Sequence, residues 1–352
     1  MTDVGLATAV PDECSPEADD WRSLLDRLNR LSITKHFDAY ADVDWDSREL
    51  ALDPQDPRWE LSADDPLGVT DWYRTQDPAV RARLGCEMVA TKMKIGLVFE
   101  NVLKRGLLEF AMTLPNGAPE FRYAYHEVIE EAQHSLMFQE FVNRSGFDAG
   151  GLAWIVRLAT RWIVTLGRRF PQLFFLFVLG GEDPIDYVQR RDLRSGRVIH
   201  PLLERIMRIH VTEEARHLSF ARHYLKRSVP TLGRWRRAQL AVGAPLILGA
   251  MSQMMLKPSP QLTRRYRIPA DVIKAAYTDS PRHHAETVAS LAKVRSLCDE
   301  LALTGRPFAS IWKAFGLAKA TGPVEALEGA PIGAESRDHP HGPGPRPPLG
   351  AR

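Results

Sequence analysis

The chain has 352 residues, a formal net charge of +2 and three widely separated cysteines, Cys14, Cys86 and Cys298. That length holds a large core or one domain with long decorations, and the near balance of charge selects neither nucleic acid nor an anionic membrane as partner. Isolated cysteines read as reduced thiols of a cytoplasmic protein, not as a disulfide framework or a thiolate zinc site.

Residues 1–20 are polar, with Pro11, Pro16 and a cluster of acids. They are expected to form a disordered arm, and no secretory signal follows Met1-Thr2-Asp3. Leu24, Leu25, Leu28 and Leu31 recur at helical spacing, which predicts a first helix over Trp21–Leu31. Residues 41–79 carry Trp45, Trp59, Trp72 and several prolines with no sustained period. Linkers seldom hold three tryptophans, so an ordered, aromatic-pinned wrap over the surface is expected.

Continuous helical patterning begins after Pro78. Long helices are predicted over Val80–Thr113, with Gly96 and Gly106 as possible breaks, and over Glu120–Arg144, Pro171–Arg194, Pro201–Arg227 and Leu232–Leu256. Ala149–Arg169 is largely apolar and is expected to be a buried helix; Ala270–Thr304 adds further helices. Strand alternation and internal repeats are missing. The most apolar stretches, Trp154–Leu166, Leu173–Gly181 and Ala241–Leu256, are shorter than the roughly 20 residues of a membrane span or are interrupted by Arg, Gly or Pro. The expected fold class is all-α, with one domain over 21–318 and a disordered Pro/Gly-rich tail over 319–352.

The chemistry centres on two motifs. Glu131-Ala-Gln-His134 and Glu214-Ala-Arg-His217 each set a carboxylate and an imidazole one turn apart on a long helix. In a chain with eleven histidines one such pair is expected by chance; two in long amphipathic helices are a signal. Paired Glu-x-x-His motifs on two helices, with single glutamates from two more, are the ligand pattern of di-iron carboxylate bundles. His210 lies about 40° from Glu214 and about 20° from His217 around the helix, so it adds a third nitrogen on the same face.

Two more carboxylates complete the pattern. Glu100, in Leu97-Val-Phe-Glu-Asn-Val-Leu103, is costly to bury unless paired or bound to metal, and Glu109 competes with it. Glu182 follows the apolar run Phe174–Gly181; its alternative is an exposed acid at a helix end before Asp183-Pro184. Four glutamates balance two ferrous ions, and a carboxylate–imidazole set suits iron or manganese.

Phe99-Glu100-Asn101, Tyr125-His-Glu-Val-Ile-Glu-Glu-Ala-Gln-His-Ser-Leu-Met-Phe138, Gly181-Glu-Asp-Pro184 and Ile209-His-Val-Thr-Glu-Glu-Ala-Arg-His217 together resemble the p-aminobenzoate N-oxygenase family of ferritin-like di-iron proteins. The resemblance covers roughly 80–225 and more loosely 40–310. It implies a ferritin-like four-helix core and seven metal ligands: Glu100, Glu131, His134, Glu182, His210, Glu214 and His217. The histidine at His210 separates this family from other ferritin-like oxygenases. The resemblance further implies two iron ions and the use of O2 to oxidise a small amine, often an arylamine, toward hydroxylamine, nitroso or nitro. An external electron donor or reductase is expected, because no flavin or nicotinamide fingerprint occurs; a homodimer is also expected. The 41–79 wrap and the tail depart from the family, and no substrate-binding residue can be matched.

Neighbouring residues have plainer readings. Glu130 and Glu213 point about 100° away from the ligand face, toward supporting or solvated roles, with Arg216 and Arg222 as partners. His126 reads as a helix-surface residue, Tyr123, Tyr125 and Tyr187 as packing residues, and Arg282-His283-His284 as a polar helix start rather than the lining of an entrance. A di-iron hydroxylase or desaturase acting on carbon, an iron-handling protein without an apolar pocket, and a purely structural bundle are the competing functions.

Overall fold

Proline opens each helix of the central bundle, at the position where its missing N–H goes unused and its fixed φ already suits a helix. The computed structural model describes residues 16–152, 154–315 and 317, without the side chains of 16–18, 154–159 and 253–255. In chain order its helices are α1 (Pro16–Thr34), α2 (Asp71–Arg74), α3 (Pro78–Ala111), α4 (Pro119–Ser145), α5 (Trp154–Arg169), α6 (Pro171–Arg194) and α7 (Pro201–Ser228). They are followed by α8 (Arg234–Met255), α9 (Pro260–Arg265), α10 (Ala270–Tyr277), α11 (Pro281–Ser290), α12 (Ala292–Glu300) and α13 (Ala309–Ala314). No strand occurs among the described residues. The fold is all-α and ferritin-like, as expected.

The bundle consists of α3, α4, α6 and α7. Lys94 Nζ donates to Gln139 Oε1 at 2.7 Å, and Lys104 Nζ to Ser135 Oγ at 2.5 Å, which sets α3 antiparallel to α4. Arg190 donates to the Val211 carbonyl at 3.2 Å and Arg222 pairs with Asp183, which sets α6 antiparallel to α7. Gly146, with φ of +69°, ends α4 in the left-handed conformation that glycine adopts without strain.

Two apolar clusters flank the centre of the bundle. One gathers Phe110, Tyr123, Phe174, Phe175 and Phe220 from its four helices, together with Trp21 and Leu25 of α1. The other gathers Phe141, Leu202 and Ile206 under Trp45 and Trp59 of the wrap. Along α4 the first cluster reaches Ala124 and the second begins at Met137; along α7 the second ends at Ile209 and the first resumes at Leu218. The polar residues therefore sit where the clusters meet. Each fully buried Phe contributes about 1.5–3 kcal/mol, which helps offset the desolvation of that polar layer.

The wrap is pinned by its tryptophans. Trp45 Nε1 donates to the Ala39 carbonyl at 2.7 Å and Trp59 Nε1 to that of Asp53 at 2.9 Å. The Trp59 ring stacks on His200 at 4.2 Å and meets Phe141 edge-on at 5.7 Å.

Three expectations need correction. Residues 16–20 of the predicted arm belong to α1, whose Trp21, Leu24 and Leu25 anchor it in the core; residues 1–15 and the tail from 318 lie outside the described residues. α3 is not broken: Gly106 lets neighbours close in, since a Cβ there would lie 2.1 Å from the Phe174 ring and one on Gly167 would lie 2.0 Å from the Gly106 carbonyl oxygen. α5 is amphipathic rather than buried, with Trp162 72% exposed and Arg161, Arg168 and Arg169 facing solvent.

Candidate metal centre

The four helices of the bundle each send carboxylates or imidazoles to one buried layer. Glu100 comes from α3, Glu131 and His134 from α4, Glu182 from α6, and His210, Glu214 and His217 from α7. All seven are buried. His134 Nδ1 lies 3.0 Å from Glu131 Oε2 and 3.5 Å from Glu214 Oε1. His217 Nδ1 lies 2.9 Å from Glu131 Oε1 and 3.1 Å from Glu214 Oε1. His210 Nε2 lies 3.9 Å from Glu100 Oε1, 3.9 Å from Glu182 Oε2 and 3.8 Å from Glu214 Oε1. Glu109, the competitor for the α3 position, lies away from this layer and pairs with Arg168 at 3.3 Å.

A second set of residues aims the first. His134 Nε2–H donates to Glu213 Oε2 at 2.9 Å, and His217 Nε2–H donates to Glu130 Oε2 at 2.7 Å. Each histidine is thus held by the acid that precedes the candidate ligand glutamate of the opposite helix, and each turns Nδ1 toward the centre. Arg216 Nη2 lies 2.8 Å from Glu130 and 3.5 Å from Glu213, and Glu213 Oε1 also accepts from the Phe37 N–H at 3.2 Å. Burial alone would raise Glu130, but the His217 hydrogen bond and the Arg216 charge bring its pKa down to about 2. Glu130 and Glu213 are thus buried and hold the two imidazoles, and Arg216 pairs with both acids. Arg222 does not join them; it pairs with Asp183 of α6.

The electrostatics are those of a layer crowded with acids: against burial, the Glu131 and Glu213 hydrogen bonds push His134 up to about 10, and the Glu214 and Glu131 charges raise His217. Burial, reinforced by neighbouring carboxylates, pushes Glu100 and Glu182 far above the ordinary carboxylate range, and burial raises Glu214. Burial, with the charge of His134, favours the neutral form of His210, and a neutral imidazole has a lone pair to offer a cation. Glu100 Oε2, Glu182 Oε1 and Glu214 Oε2 are buried without a hydrogen-bond partner. Carboxylates left unpaired in a dry interior are costly, and two divalent cations among them would remove that cost. Glu100, His134 and His210, the trio Glu131, His134 and Glu214, and the trio Glu182, His210 and Glu214 each bring ligand atoms within 4.8 Å of one another.

Three features escaped the sequence reading. Glu127, one turn before Glu131, is fully buried with both oxygens unpartnered and groups with Glu131 and His217. Its position four residues before Glu131 was the available signal. Lys104, one turn after Glu100, places a cation beside the Glu131 backbone. The third is a cavity of about 150 Å3 lined by Glu100, Glu182 and His210 together with Phe99, Phe138, Ile185 and Met207, with Lys92 and Gln189 among its polar lining. A cavity of about that size has room for a benzene ring.

A smaller chamber of about 60 Å3 shares Lys92, Val188 and Leu256 with this cavity and is lined by Tyr187 and His283. Ser280 caps α11 by accepting from the His283 N–H at 3.1 Å, so the polar helix start is as expected, yet His283 also faces that chamber. Tyr123 is buried, Tyr125 is exposed against Phe121, and His126 is half-buried on its helix.

No described helix is long and apolar enough to cross a membrane. Residues 18–302 match the family model of the p-aminobenzoate N-oxygenase AurF. Uncharacterised proteins of Mycobacterium tuberculosis and Mycobacterium bovis are 38% identical to the chain over 298 residues, 84% of this chain and 88% of theirs. No solved structure matches it. The motifs, the fold and the match over most of its length agree: the chain belongs to the p-aminobenzoate N-oxygenase AurF family, a family of di-iron enzymes.

Proposed function

We propose that the protein is a di-iron oxygenase that uses O2 to oxidise the nitrogen of a small arylamine. The observation that carries this reading is the largely apolar cavity of about 150 Å3 that has Glu100, Glu182 and His210 in its lining. An iron-handling protein has no use for an apolar chamber against its metal, whereas an arylamine oxygenase needs one, with the ring in the cavity and the amine toward the ligands.

Glu100, Glu131, His134, Glu182, His210, Glu214 and His217 would hold the two ions, iron in preference to manganese. When bound, the ions supply the binding and reductive activation of O2. The protein's own residues do the rest. Phe99 and Phe138 exclude water and orient the ring. Glu213 and Glu130 anchor Nε2 of His134 and His217, which turns each Nδ1 toward Glu131 and Glu214. The buried, unpaired thiols of Cys86 and Cys298 accord with a cytoplasmic enzyme, and the reading includes a homodimer and an external electron donor.

The test is metal analysis of the purified protein, followed by product analysis with a panel of arylamines, O2 and a reductant. Two irons per chain and N-hydroxylated or nitro products are expected. Ring or aliphatic hydroxylation with an intact amine would assign the protein to carbon oxidation instead.

A further inference from the structure

A groove opens on the surface between α1 and the C-terminal half of α7. Trp21 lies on its floor, Arg27, Arg30, His223, Lys226 and Arg227 line it, and Asp20 is the acid on its wall. Lys226 is paired with Glu300 at 2.9 Å, whereas Arg27, Arg30 and Arg227 make no ion pair among the described residues. The bias is already present in the sequence: after Glu214 no Asp or Glu occurs until Asp271. Every charged residue at the end of α7 is therefore a cation, in a chain whose total charge is close to balance.

The floor of the groove leads inward. The Trp21 ring stacks on Phe220 with centroids 5.7 Å apart and 24° between planes, and Phe220 packs on Tyr123 at 4.6 Å. Phe220 follows His217 by three residues, about 4.5 Å along α7 and on the same face. Two aromatic rings, both buried, thus bridge a basic surface groove and a candidate metal ligand.

We propose that this groove docks an acidic, one-electron iron–sulfur protein, and that Trp21 and Phe220 carry its electrons toward His217. The inference rests on the di-iron reading above. Converting an amine and O2 to a hydroxylamine and one water takes two electrons and two protons from outside. Each docked reduced iron–sulfur protein gives one electron and is itself oxidised, so two dockings return the metal pair from its diferric to its diferrous state. The cationic rim steers an acidic carrier, and the aromatic floor gives its electron a path. A lipid headgroup would engage the cations and leave the stacked pair without a role.

The test uses the full-length protein and a low-potential [2Fe–2S] ferredoxin of net negative charge as the probe. Calorimetry at low ionic strength is expected to show binding that weakens with added salt and falls roughly tenfold or more in the Arg27→Glu/Arg30→Glu variant. Both arginines are exposed, so charge reversal there leaves the core alone. In stopped flow, ferredoxin-driven reduction of the iron-loaded protein is expected to slow at least several-fold in Trp21→Leu, with ferredoxin binding and dithionite-driven reduction unchanged. Should Trp21→Leu lose helicity by circular dichroism, Trp21→Met, which also removes the ring, takes its place.

Absence of binding at low salt, or binding indifferent to the charge reversal, overturns the docking site. Unchanged ferredoxin-driven reduction in the Trp21 variant overturns the route. Binding to anionic vesicles in place of ferredoxin, abolished by the same charge reversal, overturns the proposal in favour of a lipid surface. Calorimetric binding is read whatever the metal content, so a protein that binds ferredoxin but holds no iron sinks the di-iron reading and not the docking site.

Discussion

His134 and Glu213 meet across two helices: Nε2 of the α4 histidine donates to Oε2 of the α7 glutamate at 2.9 Å, and His217 and Glu130 repeat the arrangement in the opposite sense at 2.7 Å. The doubled sequence Glu-Glu-x-x-His, at Glu130–His134 and at Glu213–His217, thus becomes a reciprocal clasp in which each motif aims the other's imidazole. Glu213→Gln keeps the shape but removes the charge that anchors Nε2 of His134. Metal affinity, measured by competition with a chelator, is expected to fall roughly 10–100-fold with helicity preserved.

Glu100→Ala is expected to lower bound iron well below two per chain, because it removes the carboxylate that α3 contributes to the layer. Glu109→Ala is expected to leave metal content unchanged, because Glu109 pairs with Arg168 outside that layer. Iron and protein assays on the two purified variants decide the point, and the reverse ranking refutes the assignment.

His210 offers Nε2 to three carboxylates and borders the cavity. His210→Ala removes one donor and leaves six, so partial iron binding is expected to survive while O2-dependent amine turnover falls at least tenfold. Full iron and full turnover in this variant would return the protein to the six-ligand bundles and remove the most specific support for N-oxygenation.

Gly167→Ala is expected to destabilise the fold without touching the site. Its Cβ would sit 2.0 Å from the Gly106 carbonyl oxygen, a backbone atom that cannot turn aside, so α5 must move off α3. Overpacking of this kind costs about 1–3 kcal/mol, and a drop of a few degrees in Tm is expected by differential scanning calorimetry.

His200 caps α7, the helix with three candidate ligands, by accepting from the Leu202 N–H through Nδ1 at 3.3 Å. Burial first, then the nearby Arg58 charge, depresses its pKa below the ordinary 6.5. The folded protein therefore binds fewer protons here than the unfolded chain, and the stabilisation from this site, present above 6.5, is lost as pH falls below it. His200→Asn keeps a capping side chain and removes the titration. The Tm difference between wild type and variant is expected to depend on pH below 6.5 and to level off above it; a difference constant with pH would refute this.

The helices, the two Glu-x-x-His motifs and the alignment of His210 with Glu214 and His217 were legible along the chain, because helical period and spacing are local properties that one strand of residues carries whole. The wrap was legible for a similar reason, since its tryptophans have no use outside a packed surface. Glu100 could not be chosen over Glu109 by pattern alone: both stand amid apolar residues, and only the packing of α3 against α4 and α6 turns one inward and leaves the other to Arg168. The amphipathic period of α5 was itself written in the chain, with Arg161, Arg168 and Arg169 interrupting its apolar residues; only which helices its apolar face met was a tertiary matter. Glu127, the clasp of Glu130 and Glu213 on the opposite histidines, the cavity over Glu100, Glu182 and His210, and the stacking of Trp21 on Phe220 all join residues of different helices or depend on what surrounds them. Burial and distance between separate helices arise only when the helices pack, and no one-dimensional spacing encodes them.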